Sequence, residues 1–287
     1  MITHYLKVAI RNLLKYKTQN LISIVGLSVG LFCFCVCFYI SRFVGSVDTC
    51  FENHERIADI YLVDKNGESW SGVSGHLLPH LQQRTWDGVE GFTLLSYPEK
   101  NEYNLIGENN EMLPYELTDM ETDSLYNKVF TPTIVCGNWE QVAHNRNSMV
   151  LTRHAAKRMF GDENPIGKVI SYNKQYNLTV KGTYATIPDN STMKPEAVIS
   201  LPSIWSRNIA NYSWEGGDSW YVYLRLKLGT DVEAMNKRIN VMVQQNLSMD
   251  HFPVSLSLEV HAQPIRETFQ SYKEVQHRRI ILSILGG

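Results

Sequence analysis

The chain has 287 residues, 44% hydrophobic and 20% charged, the proportions of an ordinary folded protein with room for about two domains. Its formal net charge of −2 argues against a nucleic-acid binder that works by neutralising phosphates. The balance hides an asymmetry. Residues 1–20 carry Lys7, Arg11, Lys15 and Lys17 and no acid, Arg42 and the pair Arg278 and Arg279 add positive charge, and the remainder of the chain sums to −9. A basic end, an apolar run and an acidic body point to a membrane protein with a soluble domain.

Residues 1–20 read as a cytoplasmic interfacial amphipathic helix. Leu6, Ile10 and Leu13 recur at i, i+4 and i+7, while Lys7, Arg11 and Lys15 form a second stripe. The apolar face suits the headgroup boundary and the basic one anionic lipid, so membrane lipid is the first expected partner. Leu21 to Ile40 follows with no charge and twelve residues that are Leu, Ile, Val or Phe. At 1.5 Å per residue it spans about 30 Å, a hydrocarbon core, which predicts a transmembrane helix over 21–44. A cleaved signal peptide would have a shorter core and a small-residue exit, where this chain has Tyr39-Ile40-Ser41-Arg42-Phe43. Four cations before the span against Arg42 after it place the N-terminus in the cytoplasm and the body, from about Ser46, outside; in a bacterium that is the periplasm. Ser23, Gly26 and Gly30 make a small-residue face for helix packing.

The body reads as α+β. Ile57 to Val63 and Val89 to Ser96 alternate as strands, with a helix between them at Ser74 to Arg84. The middle, about 115–210, holds short strands at Lys168 to Tyr172, Tyr176 to Tyr184 and Ala197 to Leu201. It also holds one helix, capped by Thr152, populated by Ala155, Ala156 and Met159, and ended by Gly161. Trp220 to Lys227 is a strand, and Asp231 to Gln245 a helix capped by Asp231 with Val232, Met235, Ile239 and Met242 on one face. Leu256 to His261 is a further strand. Two β-α-β units flanking a middle segment can share one sheet, in the manner of a split β-α-β fold with a mostly β insertion.

Few residues suggest chemistry. Gly161 and Gly167-Lys168 resemble a phosphate loop only superficially: five residues separate the glycines, Val169 follows the lysine, and the order is helix to loop. Gly161, Asn164, Pro165 and Gly167 read instead as a structural turn. His76 and His80 are interrupted by Pro79 and lack the glutamate of a zinc helix. Cys33, Cys35 and Cys37 lie in the span; Cys50 and Cys136 lie outside, with no sign in the sequence that they meet. No catalytic residue, metal site or cofactor is expected. Trp205, Trp214 and Trp220, with neighbouring tyrosines, are either strand packing or a contact surface for a periplasmic partner.

The stretch Asn147-Ser-Met-Val-Leu-Thr-Arg-His-Ala-Ala-Lys-Arg-Met-Phe-Gly161-Asp-Glu-Asn-Pro-Ile-Gly167-Lys168 resembles the periplasmic core domain of MacB/FtsX-like ABC transporter permeases. Val180-Lys-Gly-Thr-Tyr184, Ile187-Pro-Asp-Asn-Ser191, the run Ser23 to Leu31 and Cys50 to Ile57 fit the same pattern. The chain departs from it at Gly45-Ser-Val-Asp-Thr49, where many relatives have an acidic-aromatic segment. The resemblance implies a non-catalytic permease subunit of an exporter in the bacterial inner membrane. It implies a porter-like lobe from 45–114 and 211–277, an inserted sabre-like lobe at 115–210, and the start of a second transmembrane helix at 278–287. It also implies a cytoplasmic ABC ATPase on a separate chain and a second permease subunit. Rival readings are a single-pass sensor or scaffold, a cell-division-type regulator of wall hydrolases and a lipoprotein extractor.

Overall fold

The computed structural model describes residues 4–5, 11, 15–63, 69–70, 73–74, 77–106, 112–145, 147–174, 176–200, 219–246 and 259–264. The chain divides into two compact units, Met1–Val47 and Asp48–Gly287.

The first unit is dominated by helix α1, Lys17–Gly45. Its 29 residues rise about 44 Å, which is long enough to cross a hydrocarbon core. The apolar stretch has a mean hydropathy of 2.6 and none of its side chains is buried. Leu21, Ile22, Leu27 and Phe32 are all more than 60% exposed. An apolar surface of this extent is untenable in water, and lipid is the solvent that fits it. The helix already begins at Lys17, within the stretch read as interfacial; most of 1–16 lies outside the described residues.

The second unit opens with a short 3-10 turn, His54–Arg56, and strand β1, Ile57–Val63. Two short strands follow, β2 at Ser69–Trp70 and β3 at Val73–Ser74, then α2 at Leu77–Gln82 and β4 at Val89–Leu95. The helix starts three residues later than the sequence suggests. Proline cannot donate to a helix ladder, so Pro79 is tolerated only in the first turn. Ser74, expected to open the helix, is instead in β3, where Val73 and Ser74 pair with Trp220 and Ser219 of β12, Ser219–Leu226. After β12 come α6, Val232–Asn246, and β13, Glu259–Pro264. Asp231 caps α6 by accepting from the Ala234 N–H at 3.0 Å. The last strand overlaps the expected stretch at 259–261 and runs on to Pro264; 256–258 lie outside the described residues.

These four principal strands lie in the order β4-β12-β1-β13, each antiparallel to its neighbour. The two β-α-β stretches therefore interleave. One face of the sheet packs Ala58, Ile60, Phe92, Leu94, Val222 and Leu224 against Leu77, Leu78 and Leu81 of α2 and Met235, Ile239 and Met242 of α6. Each such side chain contributes about 1.5–3 kcal/mol when fully buried. The other face carries Ile57, Leu95 and Tyr223 and packs on an aromatic layer described below.

The segment between β4 and β12 forms a closed ring. Its strands are β5 (Glu99–Ile106), β6 (Met112–Thr122), β8 (Ser148–Thr152), β9 (Val169–Tyr172), β10 (Tyr176–Tyr184) and β11 (Ala197–Ser200). β5 pairs with β6, β6 with β11, β11 with β8, β8 with β10, β10 with β9, and β9 returns to β5. Closure removes free edges from all six. Tyr103, Leu117, Met149, Leu151, Ile170, Leu178 and Ile199 fill the ring together with Ala155, Ala156 and Met159 of α5, Arg153–Phe160. Position 115 falls inside β6, so the ring begins earlier, with the β5–β6 hairpin. Among the described residues the ring meets the four-stranded part where Leu95 pairs with Thr122 and the Ser96 N–H donates to the Glu121 carbonyl at 3.0 Å. Between β6 and β8 lie α3 (Tyr126–Phe130), β7 (Ile134–Gly137) and α4 (Trp139–Ala143).

β7 is sutured to β10 with Gly137 opposite Gly182. Gly137 has φ +85°, and a Cβ there would strike the Lys181 carbonyl oxygen. Gly137→Ala is therefore expected to destabilise the domain by about 2–4 kcal/mol, measured by denaturant unfolding.

Candidate functional site

Asp48, the first acidic residue of the chain, opens the second unit. It is 1% exposed. Its φ of +57° places it in the left-handed region, which Asp tolerates better than most residues. One carboxylate oxygen, Oδ1, accepts from Ser191 Oγ at 2.6 Å and from the Thr192 N–H at 2.8 Å. The other, Oδ2, accepts from Thr192 Oγ1 at 2.6 Å. Three short bonds to one buried carboxylate satisfy it without a cation, since hydrogen bonds to charged groups are the strong ones. The donors sit on the loop between β10 and β11, where Ser191 N–H donates to the Pro188 carbonyl and closes a tight turn. Asp48 thus fastens the beginning of the domain to the ring. The thiol of Cys50, two residues on, is pushed up by partial burial and by the Asp48 charge, so it is not an activated nucleophile.

Beneath this clamp lies the aromatic layer. Phe130 is fully buried, with ring centroids of Phe51 at 5.1 Å, Tyr126 at 5.2 Å and Tyr223 at 5.1 Å. Tyr126 in turn stacks near Trp139 at 5.1 Å. Burial pushes the Tyr126, Tyr184 and Tyr223 phenols well above the usual tyrosine range, so they stay neutral. The layer draws on residues of the four-stranded part (Ile57, Leu95, Tyr223), the connecting helices and the ring (Val150, Tyr184, Val198). On the side facing β4, Glu90 holds Arg56 at 2.6 Å and Arg225 at 2.9 Å, which ties the 3-10 turn, β4 and β12 together.

A second buried carboxylate lies in the ring. Asp119, 3% exposed, accepts from Tyr103 Oη and from Asn101 Nδ2 at 3.1 Å. Burial raises its pKa to about 6, opposed in part by those two donors. The folded state then holds a proton more tightly than the unfolded chain, whose carboxyl titrates near 3.8. Stability from this group is complete below about pH 4 and is lost as pH rises through about 6, on the order of 2–3 kcal/mol. Asp119→Asn is expected to flatten that part of the stability–pH curve, measured by urea unfolding at steps of pH.

The family-like turn has the geometry of a brace. Thr152 Oγ1 caps α5 by accepting from the Ala155 N–H at 3.1 Å, and Gly161, at φ +62°, ends it. Asn164 Oδ1 accepts from the Ile166 N–H at 3.1 Å, the Lys168 N–H donates to the Pro165 carbonyl at 3.1 Å, and the Gly167 N–H donates to the Val180 carbonyl at 2.8 Å. Lys168 Nζ pairs with Glu163 at 2.7 Å. The donors that a phosphate would need are already used within the protein, and the turn locks α5 to β10.

Other expected positions resolve differently. Ser23, Gly26 and Gly30 are on α1, and nothing lies within 4 Å of a Cβ placed at either glycine. Trp220 is not a contact surface: it is 6% exposed and belongs to the core under α2 and α6, because β12 is central in its sheet and both its faces are covered. Trp205 and Trp214 lie outside the described residues, as do His76 and 278–287. Cys50 and Cys136 are free thiols. No cluster of His, Cys, Asp or Glu suited to a metal occurs among the described residues.

The chain matches the MacB-like periplasmic core domain family over residues 21–241 and belongs to that family. Its fold is similar to a permease-protein domain from Porphyromonas gingivalis, at 21% identity and TM-score 0.62, covering 75% of this chain and 92% of that one. It is also similar to the periplasmic region of MacB from Actinobacillus actinomycetemcomitans, at 12% identity and TM-score 0.52, covering 80% and 95%. A third likeness is to the extracellular domain of the noncanonic ABC-type transporter YknZ from Gram-positive bacteria, at 12% identity and TM-score 0.51, covering 72% and 99%. Among curated proteins none matches. This is thus a protein of a periplasmic domain family of ABC transporter permeases, carrying an apolar helix fit to anchor it in a membrane.

Proposed function

We propose that the chain is the permease subunit, or part of it, of a MacB-like ABC exporter in the bacterial inner membrane. Its N-terminus is cytoplasmic and its domain periplasmic. ATP hydrolysis by a separate cytoplasmic subunit moves the membrane helices, and the domain passes that movement to cargo or to a partner already outside. A second permease subunit completes the assembly. The four-stranded part acts as the porter-like lobe and the ring as the inserted sabre-like lobe.

The observation that carries this reading is the Asp48 clamp. Three residues after the last residue of α1, Asp48 is gripped through three short hydrogen bonds by the loop of the ring. In this reading a pull on the first residue of the domain is passed to the ring through these bonds. No covalent chemistry is asked of any residue. The test is co-purification of the full-length gene product with an ABC ATPase subunit in mild detergent, followed by ATPase and transport assays. Wild type is expected to bring the ATPase with it. Asp48→Asn is expected to keep that assembly and reduce transport per ATP hydrolysed. A protein that brings no ATPase in any mild detergent contradicts the proposal and favours a sensor or scaffold.

A further inference from the structure

The groove between the end of α2 and the outer side of α6 is cationic, although the body that carries it is acidic. It is an open concavity of about 370 Å³, lined by Arg84, Trp86, Lys237, Arg238, Val241 and Gln245, with no acid in its lining. We propose that it is a docking site for an acidic polypeptide segment of a partner, one that presents carboxylates at helical spacing beside an apolar side chain.

Four observations support this. Arg84 is exposed and has no carboxylate within ion-pair reach among the described residues. The pairs made by its neighbours are solvent-exposed and exchangeable: Lys237 with Glu233 at 2.9 Å, and Arg238 with a fully exposed Asp87 at 3.8 Å. The Arg238 guanidinium lies over the Trp86 ring at 5.5 Å, and that ring is itself fixed by donating Nε1–H to the Leu81 carbonyl at 2.8 Å and by an edge contact with Phe92. The guanidinium is thereby oriented before any partner arrives, which lowers the ordering cost of binding. Finally, Val241 is 53% exposed on the α6 stripe that also carries Lys237 and Gln245, while Met235, Ile239, Met242 and Val243 fill the opposite face. Folding is served by the inner face, and the outer stripe is available for recognition.

The shape selects the occupant. The groove is too open to enclose most of a small molecule, as a ligand pocket must. It is concave, and its one aromatic ring is sunk into the core, so it does not offer the protruding aromatic and aliphatic side chains that engage a flat bilayer. An acidic helix with glutamates at i and i+4 presents both on one face, with Cβ atoms about 5–6 Å apart, toward Arg84 just past α2 and Lys237 and Arg238 on α6. Arg and Trp are also the residue types in which interface energy concentrates. The docking reading stands apart from ATP coupling and can fail or succeed independently of it.

The test uses the whole chain in zwitterionic nanodiscs and a fluorescent helical peptide with glutamates at i and i+4 beside leucines. Its control has glutamine for glutamate. Anisotropy is expected to show saturable binding of the acidic peptide that weakens with added salt, and none of the control. R84E is expected to weaken binding about tenfold, and R238E with K237E at least as much, with unfolding midpoints unchanged for R84E. Arg84 is exposed and makes no side-chain hydrogen bond or ion pair among the described residues, so its variant remains informative if R238E disturbs Trp86. Absence of binding at low salt, or binding unaffected by R84E and K237E, overturns the proposal. So does stronger, Arg84-dependent recruitment of phosphatidylglycerol vesicles, which assigns the groove to a membrane.

Discussion

Asp48→Ala will release the loop at 187–193 from the start of the domain and lower stability by about 4 kcal/mol. The magnitude follows from what the substitution strands. The Thr192 N–H and Oγ1–H lose the carboxylate that accepted them at 2.8 and 2.6 Å, while Ser191 Oγ keeps the Met193 carbonyl at 3.0 Å, and each stranded donor costs about 1–3 kcal/mol. Alanine also fits the left-handed backbone at φ +57° less well than aspartate does. Asp48→Asn keeps the shape, and its amide can donate to Thr192 Oγ1, so its loss should be nearer 1 kcal/mol. Denaturant unfolding gives the two values. Hydrogen exchange supplies the location: the Thr192 and Met193 amides will lose protection in the alanine variant while those of α6 keep theirs. An alanine variant as stable as wild type would show that the clamp carries no force.

Phe130→Ala is expected to destabilise the second unit by about 3–5 kcal/mol, the range for removing a fully buried aromatic side chain. Three rings lie within 5.2 Å of it, and none can move into the void without losing a contact of its own. The effect should also be directional. Among the described residues the four-stranded part and the ring share the Leu95–Thr122 pairing, the Ser96 N–H to Glu121 carbonyl bond and a few side-chain bonds, and the aromatic layer is the apolar attachment between them. Removing its centre should therefore split one cooperative unfolding transition into two before either sheet melts. A variant that unfolds in a single sharp transition near the wild-type midpoint would count against the layer's role.

Local pattern accounts for much of what the sequence revealed. Twenty uncharged residues, an aspartate before an amphipathic repeat and a threonine before Ala155 each act within one helix, so α1, α6 and α5 were legible, caps included. The family-like turn at 161–168 was legible for the same reason. What escaped is long-range. Asp48 meets Ser191 across 143 residues, and nothing around Val47-Asp48-Thr49 signals it beyond an acid standing alone after an apolar span. The β5 strand, Glu99–Ile106, is largely polar and shows no alternation that marks a strand; its buried Tyr103 and Asn104 have partners only because the ring closes around them. Closure itself depends on a parallel pairing of β6 with β11, whose residues stand about 80 positions apart. Trp220 was ambiguous because an aromatic strand residue looks the same whether one face of its sheet is covered or both. Pairing order, not composition, decides that it is core.

Cysteine accessibility in intact cells tests the arrangement most directly. Cys136 lies exposed on β7, whereas Cys33, Cys35 and Cys37 lie on the apolar face-in-all-directions of α1, where lipid would shield them. A variant retaining only Cys136 should react with a membrane-impermeant maleimide added outside spheroplasts, and a variant retaining only Cys35 should not. Labelling of Cys136 only after the inner membrane is breached would place the domain in the cytoplasm and contradict the anchored, outward-facing arrangement on which the proposed function stands.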